Sequence, residues 1–387
     1  MHYNFDRIIN RRGTSSLKWD YEQKFAGRTG LLPLWVADMD FPAPREIVDA
    51  VRRRMEHPVF GYTLEPETYF EAAADWMRRR HDWVVRREWM LAGPGVIPSL
   101  AAAILAFTAP GDGIVIQPPV YYPFALRTRA NGRRVVENPL VLSGERWDMD
   151  LDGLERVVDS ETRMLILCNP HNPVGRVWER ETLRRLADFC FQKGILVVTD
   201  EIHADLVMPG FRHTPFASVS KEAAANSVTL VSATKSFNLA GMGGALAIVP
   251  DPALCGRLDE QQRAIFAGLP NALAVTAAEA AWRYAEPWLD AMLEYVEGNV
   301  RFLSAFLEER LPAVKIFPLE GTYLPLLNMR GLGLSDEQLR EKLLGNAKVW
   351  LDEGPMFGSG GEGYQRINCA CPRPILAEAA ERIVNAF

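Results

Sequence analysis

The sequence is short of cysteine, of excess basic charge and of long apolar runs. Five cysteines among 387 residues form no Cys-x-x-Cys pair and are too few for a disulfide framework. Reduced thiols packed as small apolar groups are therefore expected at Cys168, Cys190, Cys255, Cys369 and Cys371. The net charge of −6 gives no general reason to expect a nucleic acid or an anionic membrane as a partner.

The amino-terminal segment has no apolar core of the kind that a signal peptide needs. The longest apolar stretch, LAAAILAF, is too short to cross a bilayer. We therefore expect a cytoplasmic protein with no membrane partner. The chain has no internal repeat, and its 387 residues exceed the size at which one hydrophobic core stops growing, so two domains are expected.

Five short apolar runs that end at polar or turn residues are typical of strands buried on both faces. They are GIVIQPP, MLILCNP, ILVVTDE, TLVSATK and GALAIVP. Between the second and third lies WERETLRRLADFCFQKG, whose apolar spacing predicts a helix that ends at Gly194. Strand, helix and strand in this order predict an α/β fold with a mostly parallel sheet flanked by helices.

Helical spacing also predicts helices over 45–55 and 67–80. Beyond about residue 270 the pattern changes to long helices and then to the strand-like pieces VKIFP and TYLPLLNM. This change predicts a second, smaller α+β domain, with the amino-terminal arm folding onto it.

Polar side chains follow three of the predicted strands. Asn169 and Asn172 follow the second strand, Asp200 and His203 follow the third, and Lys235 follows the fourth. Ligands of open α/β sheets bind beyond the carboxyl ends of the strands. If these strands are parallel neighbours, an amide, a carboxylate and an amine converge on one crevice.

Pyridoxal phosphate requires this set of groups. Its aldehyde is held as a Schiff base by a lysine, here Lys235, and its ring nitrogen is kept protonated by a carboxylate, here Asp200. Asn172 is placed to donate to the phenolate oxygen of the ring, with His203 close behind the same ring face. We therefore predict pyridoxal 5′-phosphate as the cofactor.

The phosphate of this cofactor needs backbone donors. The stretch GPGVIPSLAAA supplies a glycine turn that leads into a helix. The N–H groups of Gly95, Val96 and Ile97 would meet the anion at the positive end of that helix. Ser232 or Thr234 would add a hydroxyl group.

Each of these motifs is weak by itself. Tyr121 in QPPVYYPF is suited to stack on the cofactor ring, but an isolated tyrosine is more often part of a core. Lys235 alone would be interpreted as the end of a loop, and the Asp-Glu-Ile-His string is a metal site in some proteins. A dinucleotide site is disfavoured because no Gly-x-Gly-x-x-Gly opens a helix after a first strand. The order of the whole set favours the pyridoxal phosphate site.

On these motifs the chain resembles the fold-type I pyridoxal phosphate enzymes of the aminotransferase class I/II superfamily. Within them it is similar to the cystathionine β-lyase (C–S lyase) branch of the MalY/PatB type. The similar strings run from Lys18 to Arg373: SLKWD, LPLWVADMDFPAP, VFGYT, PGVIP, PPVYYPF, NPHNPVGRVW, TDEIHADL, SATKSFNLAG and RINCACPR. The resemblance implies a seven-stranded sheet in a large domain at 46–284 and a small domain formed by 1–45 and 285–387.

The resemblance also implies roles for single residues. Lys235, Tyr121 and Tyr62 would be catalytic, and Tyr62 would reach the phosphate of the neighbouring subunit, so that a homodimer with shared sites is implied. Arg366 falls where the family binds the substrate α-carboxylate, a task that suits a planar bidentate donor. The implied substrate contacts are Arg366, Asn172 and Ala37.

Two departures from the wider family bear on the reaction. Aminotransferases usually have an arginine eight positions after the lysine, where this chain has Gly243, and the lyase branch also commonly lacks that arginine. Leu326 and Asn328 stand where the branch would have tryptophan and aspartate, which concerns substrate preference rather than the cofactor.

The resemblance therefore implies β-elimination from a sulfur amino acid. Cystathionine or a related cysteine conjugate would lose its β-thiolate and give a thiol, pyruvate and ammonia. Two alternatives remain open. One is an aminotransferase, which shares every step through the α-carbanion, and the other is a regulatory protein that keeps the fold to bind a partner.

Overall fold

The computed structural model describes residues 3–268 and 270–387. Its strands, in chain order, are β1 Leu32–Pro33, β2 Met90–Gly93, β3 Gly113–Ile116, β4 Arg134–Glu137, β5 Val141–Ser143, β6 Arg146–Asp148, β7 Thr162–Cys168, β8 Leu196–Asp200, β9 Ser227–Val231, β10 Ala245–Ile248, β11 Lys315–Ile316, β12 Leu326–Asn328, β13 Val349–Trp350, β14 Asp352–Glu353 and β15 Tyr364–Arg366.

The α-helices are α1 Leu17–Asp20, α2 Glu22–Ala26, α3 Arg45–Met55, α4 Glu67–His81, α5 Val96–Phe107, α6 Pro123–Ala130, α7 Leu151–Val157, α8 Arg180–Lys193, α9 Lys221–Ala225, α10 Ala233–Ser236, α11 Pro252–Ala264, α12 Ala272–Tyr284, α13 Glu286–Arg310, α14 Asp336–Glu341 and α15 Arg373–Ala386. None of the described helices is both long and apolar enough to cross a membrane.

A seven-stranded sheet lies at the centre, in the order β2-β10-β9-β8-β7-β3-β4. The pairs from β4 through β9 are parallel, whereas β10 is antiparallel to both β9 and β2. Six strands therefore share one direction. The predicted α/β class with a mostly parallel sheet flanked by helices is confirmed.

The central strands are mostly apolar because helices cover both faces of the sheet. Along β7, Leu165 and Leu167 pack towards α8, in a cluster with Leu183 and Leu186. The intervening Ile166 packs on the other face, in a cluster with residues of α5. This alternation with a period of two is what a strand buried on both sides requires. The predicted stop of α8 is also found, since Gly194 adopts the left-handed conformation at φ 66°.

A second, antiparallel sheet has the order β11-β12-β15-β14 and packs with α13 and α15. Its core includes Leu303, Leu327, Ile367 and Leu376. The amino-terminal arm joins this region, because β1 pairs in parallel with β13. Helix α13 contributes its first half to the core of the central-sheet region and its second half to this one. The boundaries at 46–284, 1–45 and 285–387 stay a prediction, and residues 1, 2 and 269 lie outside the described chain.

The carboxyl ends of most of the central strands lie at one edge of the sheet. The carboxyl ends of β2, β3, β7, β8 and β9 lie there together with the start of β10. The segments that follow these strands therefore meet at one place.

Candidate active site

Two adjoining cavities open at this edge, with volumes of about 260 and 710 Å³. Both are lined by Ala37, Tyr121 and Lys235, so they form one continuous space with a deep part and an outer part. The predicted residues that line the deep part are Ala37, Gly95, Val96, Ile97, Tyr121, Asn172, Asp200, His203, Thr234 and Lys235. Arg366 lines the outer part.

Lys235 lies on α10, which begins directly after β9. Its Nζ donates to the backbone oxygen of Ala37 at 2.5 Å. Burial lowers the pKa of Lys235 to about 8, and the nearby Arg366 acts in the same direction, against the charges of Asp38 and Asp200. The lysine therefore carries an amine that loses its proton far more readily than an exposed one.

Asp200 is the last residue of β8 and is buried at the wall of the deep cavity. Its Oδ1 accepts from the backbone N–H of Ile202 at 3.1 Å. Burial nevertheless raises the pKa of Asp200 to about 7, which the charge of Lys235 only partly offsets. The ionised carboxylate would be stabilised by a cation placed in the cavity.

His203 follows one turn later and is also buried. Its Nδ1 is buried without a hydrogen-bond partner among the described residues. Burial lowers its pKa well below the usual value, and the charges of Lys235 and Arg366 add to this effect. The imidazole is therefore neutral and holds a polar atom available to a bound molecule.

Asn172 and Arg366 connect the two sheets at the mouth of the deep cavity. Arg366 ends β15, and its Nη1 donates to Asn172 Oδ1 at 2.7 Å. Its Nη2 donates to the backbone oxygen of Trp35 at 3.2 Å and also contacts the Asp352 carboxylate. The guanidinium carbon lies 5.0 Å from the ring centroid of Phe357. The guanidinium is thus held in one plane at the boundary between the deep and outer cavities.

The amino terminus of helix α5 forms part of the wall of the deep cavity. Gly95 precedes the helix, and Val96 and Ile97 are its first two residues. N–H groups in a first helical turn have no partner within the helix, so this end suits an anion. Thr234 lines the same cavity, whereas Ser232 lies outside its wall, where its Oγ caps α10 and donates to Gly244 O at 2.7 Å.

Comparison with known proteins places this site in a family. The chain matches the profile of the family "Aminotransferase class I and II" over residues 30–383. It belongs to this family. It is 43% identical to cystathionine beta-lyase PatB of Bacillus subtilis, over 99% of this chain and 100% of that protein. The resemblance drawn from the motifs is therefore confirmed.

Two solved structures in the same fold cover the whole chain. A PLP-bound protein of Clostridium difficile 630, described as a putative aminotransferase, superposes with a TM-score of 0.98 at 41% identity, over 100% of both chains. Cystalysin of Treponema denticola, which contains pyridoxal 5′-phosphate, superposes with a TM-score of 0.95 at 35% identity, over 100% of this chain and 99% of its own.

Gly243 occupies the position where aminotransferases of the wider family usually carry arginine. Its φ of +74° is in the left-handed region, and an added Cβ would lie 3.0 Å from the backbone oxygen of Pro94. A side chain at this position is therefore disfavoured by the backbone itself.

Tyr62 does not reach the cavity of its own chain. It is 96% exposed, and neither cavity is lined by it. A role for Tyr62 in the site of a second subunit stays a prediction.

Several residues of the site were missed from the sequence. Asp352 contacts the Arg366 guanidinium, and Tyr323 Oη donates to Ala37 O at 3.0 Å. Asn238 holds the arm segment above Lys235 by donating to Met39 O and Phe41 O, each at 2.9 Å. Asn368 donates to two further carbonyl oxygens of the same segment. No local sequence pattern marks these residues. Tyr323, Asn238 and Asn368 contact segments more than a hundred positions away in the chain. Asp352 lies in a strand of only two residues.

Proposed function

We propose that the protein binds pyridoxal 5′-phosphate at Lys235 and catalyses β-elimination from sulfur amino acids. The substrate would be cystathionine or a related cysteine S-conjugate, and the products a thiol, pyruvate and ammonia. The observation that carries the proposal is the deep cavity, which is lined by both a lysine of lowered pKa and a buried aspartate. The full-length similarity to PatB, a protein named as a cystathionine beta-lyase, supports the same reaction.

Three features of the cavity fit this cofactor. Asp200 is a buried carboxylate that needs a cation, which a protonated pyridine nitrogen supplies. The amino terminus of α5 suits the phosphate. The two cavities, of about 260 and 710 Å³, leave room for both the cofactor and an amino acid.

The residues would hold the cofactor from several sides. Lys235 would bind the aldehyde covalently, Asp200 would pair with the ring nitrogen, and Asn172 would donate to the ring oxygen. When bound, pyridoxal phosphate supplies the electron sink for the α-carbon of an amino acid, which no side chain of the protein provides. The remaining contacts we propose are Tyr121, Tyr62 of a second subunit, His203, Thr234, Ser232 through its helix cap, and the backbone at Gly95, Val96 and Ile97.

The chain's own residues orient the substrate and move its proton. Arg366 would bind the α-carboxylate by charge-assisted hydrogen bonds, and Ala37 lines the same cavity. Lys235 Nζ would accept the α-proton, a task for which its pKa of about 8 is suited near neutral pH. The outer cavity would contain the leaving thiolate and its substituent. For cystathionine, one water is consumed and homocysteine, pyruvate and ammonia are released.

Incubation of the purified protein with cystathionine and no added 2-oxo acid tests the reaction. The proposal predicts pyruvate and a free thiol in equal amounts, and no product with a Lys235→Ala variant. Product that forms only when an acceptor 2-oxo acid is supplied would instead identify an aminotransferase.

We further propose a cytoplasmic homodimer with a large domain at 46–284. All five cysteines are buried free thiols, which suits a reducing compartment. Val59, Phe60 and Leu64 are exposed beside Tyr62 and form an apolar segment suited to a subunit interface. Sedimentation measurements on the purified protein test the dimer.

A further inference from the structure

A group of buried polar side chains lies behind the site and is not used by the proposed reaction. Asp205 and Ser236 are both buried, and neither lines the deep or the outer cavity. Ser236 Oγ donates to Asp205 Oδ2 at 2.6 Å. Burying a carboxylate at this depth is costly unless it has partners, so the arrangement calls for an explanation.

The two residues belong to the segments that follow β8 and β9 and carry the proposed cofactor contacts. Asp205 lies in the turn after β8, which presents Asp200 and His203 to the cavity. Ser236 follows Lys235 on α10, after β9. The pairing of β8 with β9 ends at Asp200 and Leu230, with the N–H of Glu201 bonded to Leu230 O at 2.9 Å. The Asp205–Ser236 hydrogen bond joins the turns beyond that point.

Asp205 is itself fixed from the opposite side by α4. Its Oδ1 accepts from Trp76 Nε1 at 3.0 Å and lies 2.7 Å from His81 Nε2. Burial alone would raise the pKa of Asp205, but His81 and the Ser236 hydroxyl lower it below its usual value. The carboxylate is therefore ionised, and both of its oxygens are engaged.

The turn that holds Asp205 is also fixed at its start. Glu201 Oε1 accepts from the N–H of Phe216 at 2.8 Å, and Glu201 Oε2 lies 2.9 Å from His213 Nε2. The ring of His213 packs edge-on against His81, with centroids 5.3 Å apart. A continuous buried network thus runs from the residue after Asp200 to the residue after Lys235.

We propose that Asp205 and Ser236 are positioning residues that hold Lys235 at a fixed separation from Asp200. The inference rests on the proposed function, because it assumes that one rigid cofactor ring is held at its aldehyde by the first residue and at its nitrogen by the second. A rigid ligand binds best when its contacts are held in place before it arrives. Loosening the link between the turns should therefore weaken cofactor binding.

Ser236→Ala tests the link, and Ser227→Ala is its matched control. Ser227 is equally buried, and its Oγ donates to Ala223 O at 2.6 Å, but it begins β9 at the other edge of the sheet. We expect both variants to lose thermal stability without cofactor, and Ser236→Ala to lose more, because its hydroxyl bonds a charged group. Only Ser236→Ala should bind pyridoxal phosphate more weakly, by about tenfold, the low end of the range for one charge-assisted hydrogen bond. The dissociation constant is measured by absorbance titration of the cofactor-free protein.

Asp205→Asn separates the geometry of the link from its charge. The oxygen of the new amide still accepts from Trp76 and His81. Its Nδ2 takes the place of Asp205 Oδ2 and donates to Ser236 Oγ, which then accepts instead of donating. Binding within about threefold of the parent is expected. Any of three results would overturn the inference. Ser236→Ala could bind the cofactor as tightly as the parent, Ser227→Ala could weaken cofactor binding as much as Ser236→Ala does, or Asp205→Asn could weaken it as much as Ser236→Ala does. A parent protein that does not bind the cofactor would overturn the proposed function as well.

Discussion

Replacing Arg366 with lysine tests the proposed substrate contact without removing its charge. The guanidinium is held by Asn172 at 2.7 Å and by Trp35 O at 3.2 Å, and Asp352 balances its charge. Lysine keeps that balance, so the buried aspartate is not left alone. An ammonium group lacks the planar pair of donors, and we expect it to lose one charge-assisted hydrogen bond to the substrate carboxylate. That loss is about 1.5–3 kcal/mol, or about 10- to 150-fold.

The effect should be found in KM rather than in cofactor binding. Pyruvate release from cystathionine gives kcat and KM, and absorbance titration gives the cofactor affinity. Arg133→Lys is the control, because Arg133 is also buried but bonds Thr108 Oγ1 at 2.9 Å at the opposite edge of the central sheet. An unchanged KM in Arg366→Lys, or an equal rise in Arg133→Lys, would refute the assignment.

Three further experiments have expected outcomes. In the cofactor-free protein the pKa of Asp200 is raised to about 7, whereas in the unfolded chain it is about 4. The folded state therefore becomes less stable relative to the unfolded state as the pH rises from about 4 to 7. Asp200→Asn should therefore raise the cofactor-free Tm at about pH 8 and leave it unchanged near pH 4, which thermal scans at both pH values check. Asp352→Asn should lower KM, because Asp352 and the substrate carboxylate compete for Arg366; a KM that rises in steady-state assays argues against this competition. Mixing inactive Tyr62→Ala and Lys235→Ala subunits should restore about a quarter of the parent activity through hybrid dimers, whereas no recovery would place Tyr62 outside a shared site.

The sequence predicted the central strands and the residues that follow them. β7 and β8 are mostly apolar. The polar residues Asn172, shortly after β7, and Asp200, the last residue of β8, stand where the chain leaves the sheet. Both signals are local, since burial on two faces and the position of a strand end are read from adjacent residues. This is why residues that line the deep cavity could be predicted from separate motifs.

Other features could not be predicted because they depend on distant pairing. The apolar run of β10 carries no information about direction, and the strand is antiparallel to its neighbours. Asp352 lies directly opposite Arg366 across β14 and β15, strands of two and three residues that no periodicity marks. Leu326, a position that departs from the lyase branch, is likewise a cross-strand partner of Arg366. Tyr62 requires a second chain to have a role in the site.

The presence of pyridoxal phosphate on Lys235 is measured most directly by spectroscopy and peptide mapping. Protein purified with the cofactor should absorb in the visible range, and borohydride reduction should fix the cofactor's mass on the peptide that contains Lys235. A colourless protein, or a label on a different lysine, would contradict the proposed site.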